Sequence, residues 1–299
     1  MNKALVTGNL GFIGHHLARR LREDGWHVIG IDNCFAGERE WTKYCHEFFE
    51  ENIEGLNHLP DVDGIFHLAA KPRVPYSIEH PLQTHETNTT ATLVLLELAS
   101  RMPKPPVFIY SSSSSVYGNQ TEMPLVETMT PAPLSPYAAQ KLMGEYYCGI
   151  YSALKGVPTI SLRYFNVYGK EQPADHPYAP VITKFLKRAA DGKFLTIYGD
   201  GEQRRDFTHV DDVVEANLAA YQTLCTTLDI AGSVYNIGRG HNISVRRLAT
   251  LIDGCRGHIA YEAARPGDVY KTLADVTRAT SELGWVPHRS VEDWIREQP

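Results

Sequence analysis

The feature that most constrains the fold is a glycine-rich turn between an apolar run and an amphipathic segment. Residues 4–7 are strand-like, residues 8–14 read Gly-Asn-Leu-Gly-Phe-Ile-Gly, and apolar residues then recur at helical spacing. In such a turn the first glycine permits the bend, the second lets a pyrophosphate approach, and the third packs helix on strand. The helix N-terminus adds unpaired N–H groups and a partial positive charge. We therefore predict a dinucleotide site at Gly8, Gly11, Phe12, Ile13 and Gly14.

The acidic residue at the end of the next strand-like run indicates which dinucleotide binds. Residues 28–31 are apolar or glycine, and Asp32 follows them. A carboxylate there can hydrogen-bond the ribose hydroxyls and repels a 2′-phosphate. No basic residue follows until Arg39, so NAD is favoured over NADP.

The rest of the first half alternates short apolar runs with helical segments, which predicts a parallel sheet covered on both faces. After Gly169 the chain becomes rich in Pro, Asp and His. We expect an α/β fold, a doubly wound parallel (Rossmann) sheet with a smaller mixed α/β C-terminal substrate domain. Residues 1–168 form the first domain, to which 208–238 return, and residues 169–207 and 239–299 form the second.

Composition excludes several classes of protein. The chain of 299 residues carries a net charge of −6, which offers no electrostatic footprint for nucleic acid or an anionic membrane. No apolar run reaches the roughly 18 residues of a membrane span. The five cysteines are odd in number and widely spaced, so we expect neither disulfides nor a zinc ribbon, and a cytoplasmic location.

A tyrosine and a lysine four residues apart are candidates for acid–base chemistry. Ser135 and Pro136 suit the start of a helix, which would place Tyr137 and Lys141 on one face. Free tyrosine has a pKa near ~10, and a cation about 4 Å away is worth roughly three pKa units. Lys141, helped by a positive nicotinamide, would bring the pKa of Tyr137 into the range of a general base.

A serine run lies where a parallel sheet binds ligands. Residues 107–110 are strand-like and five serines follow them, then Val-Tyr-Gly at 116–118. With the glycine turn, the Tyr/Lys pair and Arg-Tyr-Phe-Asn-Val-Tyr-Gly at 163–169, these motifs resemble the extended short-chain dehydrogenase/reductase family, whose members act on nucleotide sugars. The resemblance spans essentially the whole chain.

The resemblance implies a role for each matching residue. Ser113, Tyr137 and Lys141 would be catalytic, and the second domain would bind a nucleotide sugar. Besides the glycine turn, NAD would contact Asp32, Asn33, Asn52, Ile53, Ala69, Ala70, Asn88, Tyr137 and Lys141. The substrate would contact Val74, Ser113, Ser114, Ser115, Tyr137, Asn166, Tyr198, Arg205, Arg265, Asp268 and Thr272. Asn52 stands where relatives carry an aspartate in the adenine pocket.

The residues after Ser113 discriminate between reactions. Dehydrating relatives carry Asp-Glu there and decarboxylating ones a Glu, whereas this chain has Ser114 and Ser115. The resemblance therefore implies 4-epimerisation of a UDP-hexose with a tightly bound, recycled NAD. A nucleotide keto-sugar reductase and a non-catalytic NAD-binding protein are the alternatives.

Three further expectations concern the sugar, the assembly and metals. Thr272 is small, which would admit an N-acetyl group as well as a plain hexose, and UDP-glucuronate is the alternative substrate. Family members usually dimerise through two helices, here residues 89–100 and 136–154. Asp206, His209, Asp211 and Asp212 resemble a metal cluster, but we interpret Asp211 as the cap of a helix at 212–223 and expect no metal.

Overall fold

A seven-stranded parallel sheet forms the centre of the computed structural model, which describes residues 1–174, 179–254, 256–264 and 269–298. Its strands are β1 Lys3–Thr7, β2 His27–Asp32, β3 Glu47–Glu50, β4 Gly64–His67, β5 Val107–Ser113, β6 Thr159–Tyr164 and β11 Ser233–Ile237. The strand order is β3-β2-β1-β4-β5-β6-β11, and every neighbouring pair is parallel. The predicted doubly wound parallel sheet is confirmed, and its order reverses between β1 and β4.

Helices cover both faces of this sheet because its strands are apolar on both sides. Along β1, Val6 joins a cluster with Leu17, whereas Leu5 joins a second cluster with Leu95. The α-helices are α1 Phe12–Glu23, α2 Val74–Glu79, α3 Pro81–His85, α4 Ala91–Ser100, α5 Pro136–Lys155, α6 Val181–Ala190, α7 Val210–Thr226, α8 Val245–Asp253, α9 Thr277–Leu283 and α10 Val291–Arg296.

The remaining strands form three two-stranded sheets around a separate core. They are β7 Val167–Tyr168 with β10 Thr208–His209, β9 Arg204–Asp206 with β12 Asn242–Ser244, and β8 Leu195–Tyr198 with β13 Ile259–Glu262. Phe185, Ile197, Leu248 and Trp294 belong to this core. Because α7 packs on β5 and β6 and leads into β11 beside β6, we propose the domain division given above.

The helix predicted at 212–223 differs from the observed one. It runs from Val210 to Thr226 and is capped by His209, whose Nδ1 accepts the Asp211 N–H at 3.2 Å. The predicted cap, Asp211, lies in the first turn instead. A carboxylate there stabilises the helix by its favourable interaction with the helix dipole. The polar cluster that resembles a metal site is thus partly a capping arrangement.

Two further observations bear on the sequence-based expectations. The helix expected from residue 89 begins as α4 at Ala91, after a π-helical turn over Glu86–Thr90 that joins it to α3. In the described ranges, no helix has the length and apolar character needed to span a bilayer.

A single methyl group should disrupt the glycine turn. A Cβ built at Gly14 lies 2.0 Å from the Gly8 carbonyl oxygen, whereas one at Gly55 meets nothing within 4 Å. We expect Gly14→Ala to lower the free energy of unfolding by about 1–3 kcal/mol through overpacking, and Gly55→Ala to leave it unchanged. Urea denaturation compares them, and equal midpoints would contradict this packing.

Candidate active site

One cleft of about 1170 Å³ lies at the carboxyl ends of the parallel strands and extends over the second core. Parallel sheets bind ligands at this edge, beside the point where the strand order reverses. Nearly all of the predicted site residues line the cleft. They are Gly8, Gly11, Phe12, Ile13, Gly14, Asp32, Asn33, Asn52, Ile53, Ala69, Ala70, Val74, Ser113, Ser114, Ser115, Tyr137, Lys141, Asn166, Tyr198, Arg205 and Thr272.

The glycine turn leaves no room for side chains where it meets the segment after β4. Gly8 has a φ of +70°, and a Cβ there would lie 2.7 Å from the Ala69 backbone. The Gly8 N–H donates to the Ile31 carbonyl at 2.8 Å, which ties the turn to β2. Such a bare backbone at a helix N-terminus fits the pyrophosphate of a dinucleotide.

The carboxylate of Asp32 faces this turn from the end of β2. It accepts the N–H of Leu10 at 3.1 Å and that of Cys34 at 2.8 Å. Asn33 donates to the Asn52 side-chain oxygen at 2.8 Å and so links the segments that follow β2 and β3. Asn52 therefore has a structural partner at this edge of the cleft.

Asn88 is the described residue of the predicted set that does not line the cleft. It is 1% exposed, and its side-chain oxygen accepts the Lys71 N–H at 2.8 Å. Its amide donates to the Lys71 carbonyl and to Gln140. The structure thus places Asn88 behind the wall, where it holds the segment that lines the cleft after Ala70.

Ser113 ends β5 and its hydroxyl oxygen accepts two hydrogen bonds from Ser115. The Ser115 hydroxyl lies 2.9 Å away and the Ser115 N–H 3.2 Å away. With its acceptor capacity occupied in this way, the Ser113 hydroxyl keeps its own proton available for donation into the cleft.

Tyr137 lies in the first turn of α5, and a contact with α2 holds its backbone. Its N–H donates to the Ser77 hydroxyl at 3.1 Å, and Ser135 caps the helix as expected. The tyrosine is 9% exposed. Burial raises the pKa of Tyr137, and the Ser113 hydroxyl and the Arg73 guanidinium act in the opposite direction.

Lys141 is held one helical turn further on. Its Nζ donates to the Ser111 carbonyl at 2.8 Å, and burial lowers its pKa to about 8. The expectation that Lys141, together with the nicotinamide, lowers the pKa of Tyr137 stays a prediction for the protein with its cofactor bound. The Lys141 ammonium group is directed to the end of β5, and Arg73 is a cation that opposes the effect of burial on the pKa of Tyr137.

A buried ion pair lies behind the three candidate catalytic residues. Arg163 on β6 donates from Nε and Nη2 to the two carboxylate oxygens of Glu145 at 2.9 and 2.7 Å, and Ser112 donates to the same carboxylate. Both charged side chains are under 5% exposed. The pair joins α5, β5 and β6 at the base of the cleft.

The second core supplies the far wall of the cleft. The Asn166 amide donates to the Asp206 carbonyl at 2.9 Å, and the Thr272 hydroxyl accepts the Asp206 N–H at 3.2 Å. Arg205 donates from Nη1 to the Arg204 carbonyl at 3.0 Å. Arg265 and Asp268, the other predicted substrate contacts, lie outside the described residues.

Sequence reasoning missed Arg73, which lines the cleft beside Tyr137. Burial lowers the pKa of Arg73, and Tyr137 opposes that shift. Arg73 comes six residues after the end of β4, and the rule that ligands bind beyond the strand ends would have identified this segment.

The fold and cleft define an NAD-binding α/β protein with a Ser/Tyr/Lys group at the carboxyl edge of its sheet. Comparison with protein families is consistent with this class. Residues 4–238 match the NAD dependent epimerase/dehydratase family, so the chain belongs to it, and NAD is its cofactor.

Solved structures match the chain along nearly its whole length. It is similar to the UDP-glucose 4-epimerase of Thermotoga maritima with UDP-glucose, at 36% identity and a TM-score of 0.92, covering 98% of this chain and 96% of that one. It is also similar to the UDP-N-acetylglucosamine 4-epimerase of Methanobrevibacter ruminantium in complex with UDP-N-acetylmuramic acid. The sequence identity is 34% and the TM-score is 0.90, and the match covers 99% of this chain and 96% of that one. A third similar structure is the UDP-glucuronic acid 4-epimerase of Bacillus cereus in complex with UDP-glucuronic acid and NAD. Its sequence identity is 34% and its TM-score is 0.87, and the match covers 98% of this chain and 96% of that one.

Loss of one partner of the buried ion pair should be costly. Glu145→Gln leaves the Arg163 guanidinium buried without a counter-charge, so we expect about 3–5 kcal/mol less stability. Glu50→Gln is the control, because Glu50 pairs with Arg39 at the surface, where ion pairs contribute little. Urea unfolding curves separate the two, and a Glu145→Gln protein as stable as wild type would refute the structural role.

Proposed function

We propose that the protein interconverts UDP-hexoses that differ at C4, by NAD-dependent oxidation and return of the hydride to the opposite face. The observation that carries this proposal is the group Ser113, Tyr137 and Lys141 in one cleft with the glycine turn. Ser114 and Ser115, which follow Ser113, provide no extra acid for dehydration or decarboxylation. The three similar proteins described above are 4-epimerases of UDP-sugars by name, which supports 4-epimerisation as the reaction of this chain.

NAD, which the glycine turn and Asp32 would hold in the cleft, would supply the chemistry of reversible hydride transfer at C4. Tyr137 removes the O4 proton during oxidation and gives it back during reduction. Ser113 donates its hydrogen bond to the reacting oxygen, in keeping with the bonds that it accepts from Ser115. Lys141, fixed on the Ser111 carbonyl, holds the nicotinamide ribose.

The nucleotide diphosphate is proposed to bind between the two cores. Arg205 and Arg265 grip the phosphates, for which a guanidinium fork is well shaped. Asn166 contacts the diphosphate, Tyr198 lines the same wall, and Asp268 binds a ribose hydroxyl. In a chain of net charge −6, such local cations are needed to attract an anionic substrate.

We propose a homodimer formed through α4 and α5. An exposed apolar stripe runs along α5 at helical spacing, with Met143, Tyr146, Ile150 and Leu154 between 41% and 77% exposed. The helix α4 packs beside α5. A second copy of this surface would bury the stripe.

We propose that the protein functions in the cytoplasm. Among the cysteines that the structure describes, Cys34, Cys45, Cys148 and Cys225 are all free thiols. Free thiols are typical of a reducing compartment. Cell fractionation with an antibody to the protein would test this location.

Proton NMR of the purified protein with separate UDP-sugars tests the proposed reaction. UDP-glucose, UDP-N-acetylglucosamine and UDP-glucuronate are each incubated without added cofactor. A new anomeric signal of the 4-epimer with either of the first two supports the proposal. Turnover of UDP-glucuronate alone would replace the proposed substrate. No signal in any sample after NAD addition would overturn epimerisation in favour of a reductase or a binding protein.

Removal of the Tyr137 hydroxyl should abolish the proton transfer while the cofactor stays bound. We expect Tyr137→Phe to lower kcat by about 10²–10⁴-fold, with the NAD content of the purified protein unchanged. Tyr261→Phe is the control, because Tyr261 is 55% exposed on β13 and does not line the cleft. Full activity in Tyr137→Phe would assign the base to another residue.

A bulky residue at position 272 should narrow the range of sugars. Thr272 lines the cleft and is 9% exposed, so Thr272→Tyr would fill the space of a 2-N-acetyl group. We expect loss of turnover with UDP-N-acetylglucosamine and retention with UDP-glucose. Thr272→Ser keeps the hydroxyl and the space and should retain both. The measurement is the ratio of kcat/KM for UDP-N-acetylglucosamine to kcat/KM for UDP-glucose. The same ratio in Thr272→Tyr and Thr272→Ser would show that this position does not select the sugar.

A charge in the apolar stripe of α5 should disrupt the dimer. We expect Ile150→Glu to elute as a monomer in size-exclusion chromatography with light scattering, because the glutamate would be desolvated at the interface. Leu228→Glu, at an exposed apolar residue outside the stripe, should stay dimeric. A monomeric wild-type protein would refute the assembly.

A further inference from the structure

A compact group of two histidines and a glutamate lies between α1 and the loop after β7, outside the lining of the cleft. His15 and His16 follow the glycine turn, and Glu171 lies in the loop after β7. The histidines are 1% and 4% exposed, and Glu171 is 35% exposed. Within residues 1–174, 179–254, 256–264 and 269–298, no other three His, Cys, Asp or Glu side chains bring their ligand atoms within 4.8 Å of one another.

The hydrogen bonds of His15 leave two acceptors facing each other. Its Nδ1 lies 3.0 Å from the Gly11 carbonyl and therefore carries a proton. In the neutral ring Nε2 is then unprotonated and carries a lone pair. This nitrogen lies 3.1 Å from a carboxylate oxygen of Glu171. Only a proton or a bound cation between these two atoms makes the contact favourable.

The distances from Glu171 to the two histidines are close to those between ligand atoms in a metal coordination shell. The Glu171 oxygen lies 3.1 Å from His15 Nε2 and 3.5 Å from His16 Nε2. Zinc binds histidine nitrogen and carboxylate oxygen at about 2.0–2.2 Å, so ligand atoms of a tetrahedral site lie about 3.3–3.6 Å apart. We propose that His15, His16 and Glu171 bind a divalent transition cation of the zinc type, with water as the fourth ligand.

The surroundings of His15 suit a metal ligand. The Gly11 carbonyl orients its ring through Nδ1, as outer-shell acceptors do for metal-bound histidines. Trp41 stacks on the ring with a centroid distance of 4.2 Å. The exposed part of Glu171 leaves a path to solvent.

Arg19 competes with the cation for the same groups. It donates to His16 Nδ1 at 2.8 Å and lies 3.5 Å from the Glu171 carboxylate. His16 consequently carries its proton on Nε2, which donates to the Lys170 carbonyl at 3.2 Å. Metal binding requires His16 to move this proton to Nδ1 and the 31% exposed Arg19 to turn into solvent. Removal of the Arg19 charge should therefore strengthen binding.

A bound cation would connect α1, the helix that follows the glycine turn, to the wall of the cleft. Gln172, next to Glu171, lines the cleft and donates to the Val167 carbonyl at 2.9 Å. Its side-chain oxygen accepts the hydroxyl proton of Thr183 on α6 at 2.6 Å. The site would thus hold this loop between α1 and the second core.

Isothermal titration with zinc chloride tests the proposal on the full chain with its NAD and without an affinity tag. Cys34, Cys45 and Cys225, none of which is buried, are replaced by serine in every sample together with Cys255 to remove thiol ligands. We expect one zinc per chain and, for Glu171→Gln and His16→Asn, affinities at least about tenfold weaker. Arg19→Met should bind more tightly than the parent.

His27→Asn is the matched control, because His27 lies beside His46 and Glu47 at the surface. It should bind zinc like the parent protein. Unchanged affinity in Glu171→Gln, or no binding in the parent and in Arg19→Met, would overturn the proposal and leave a proton between His15 and Glu171. The titration does not depend on epimerase activity, so the two proposals fail separately.

Discussion

The buried pair of Glu145 and Arg163 is the interaction on which the geometry of the cleft depends. Glu145 follows Tyr137 and Lys141 at intervals of four along α5, so all three project from one face of the helix. Arg163 holds this face against β6, and the hydrogen bond from Ser112 fixes the end of β5 to the same carboxylate. Two buried charges that must satisfy each other therefore hold α5, which carries Tyr137, against the strands β5 and β6.

Local sequence patterns predicted the elements that carry their own signals. The glycine turn with its flanking strand and helix, and the Ser135 cap before Pro136, are each encoded within a few residues. The short strands β3 and β12 carry no such signal. Glu47–Glu50 has a charged residue at each end and becomes a strand because it pairs with β2 at the sheet edge.

Side-chain partners from distant segments explain what sequence reasoning could not place. The family resemblance implies that Asn88 contacts the cofactor, whereas the described hydrogen bonds of its side-chain amide are made with Lys71 and Gln140. The cap of α7 is His209 instead of Asp211, because a histidine ring can accept an N–H as a carboxylate does. The cluster of His15 with Glu171 joins residues 156 positions apart, which no local pattern reports.

The electrostatics of Tyr137 bear on its proposed role as the base. Burial raises its pKa, and Lys141 is committed to the Ser111 carbonyl, so the protein alone favours the protonated phenol. Ser113 and Arg73 act against burial without reversing it. We therefore expect Tyr137 to ionise beside the positive nicotinamide of NAD⁺ and to keep its proton once that charge is neutralised. This order matches the reaction, because the O4 proton must leave during oxidation and return during reduction.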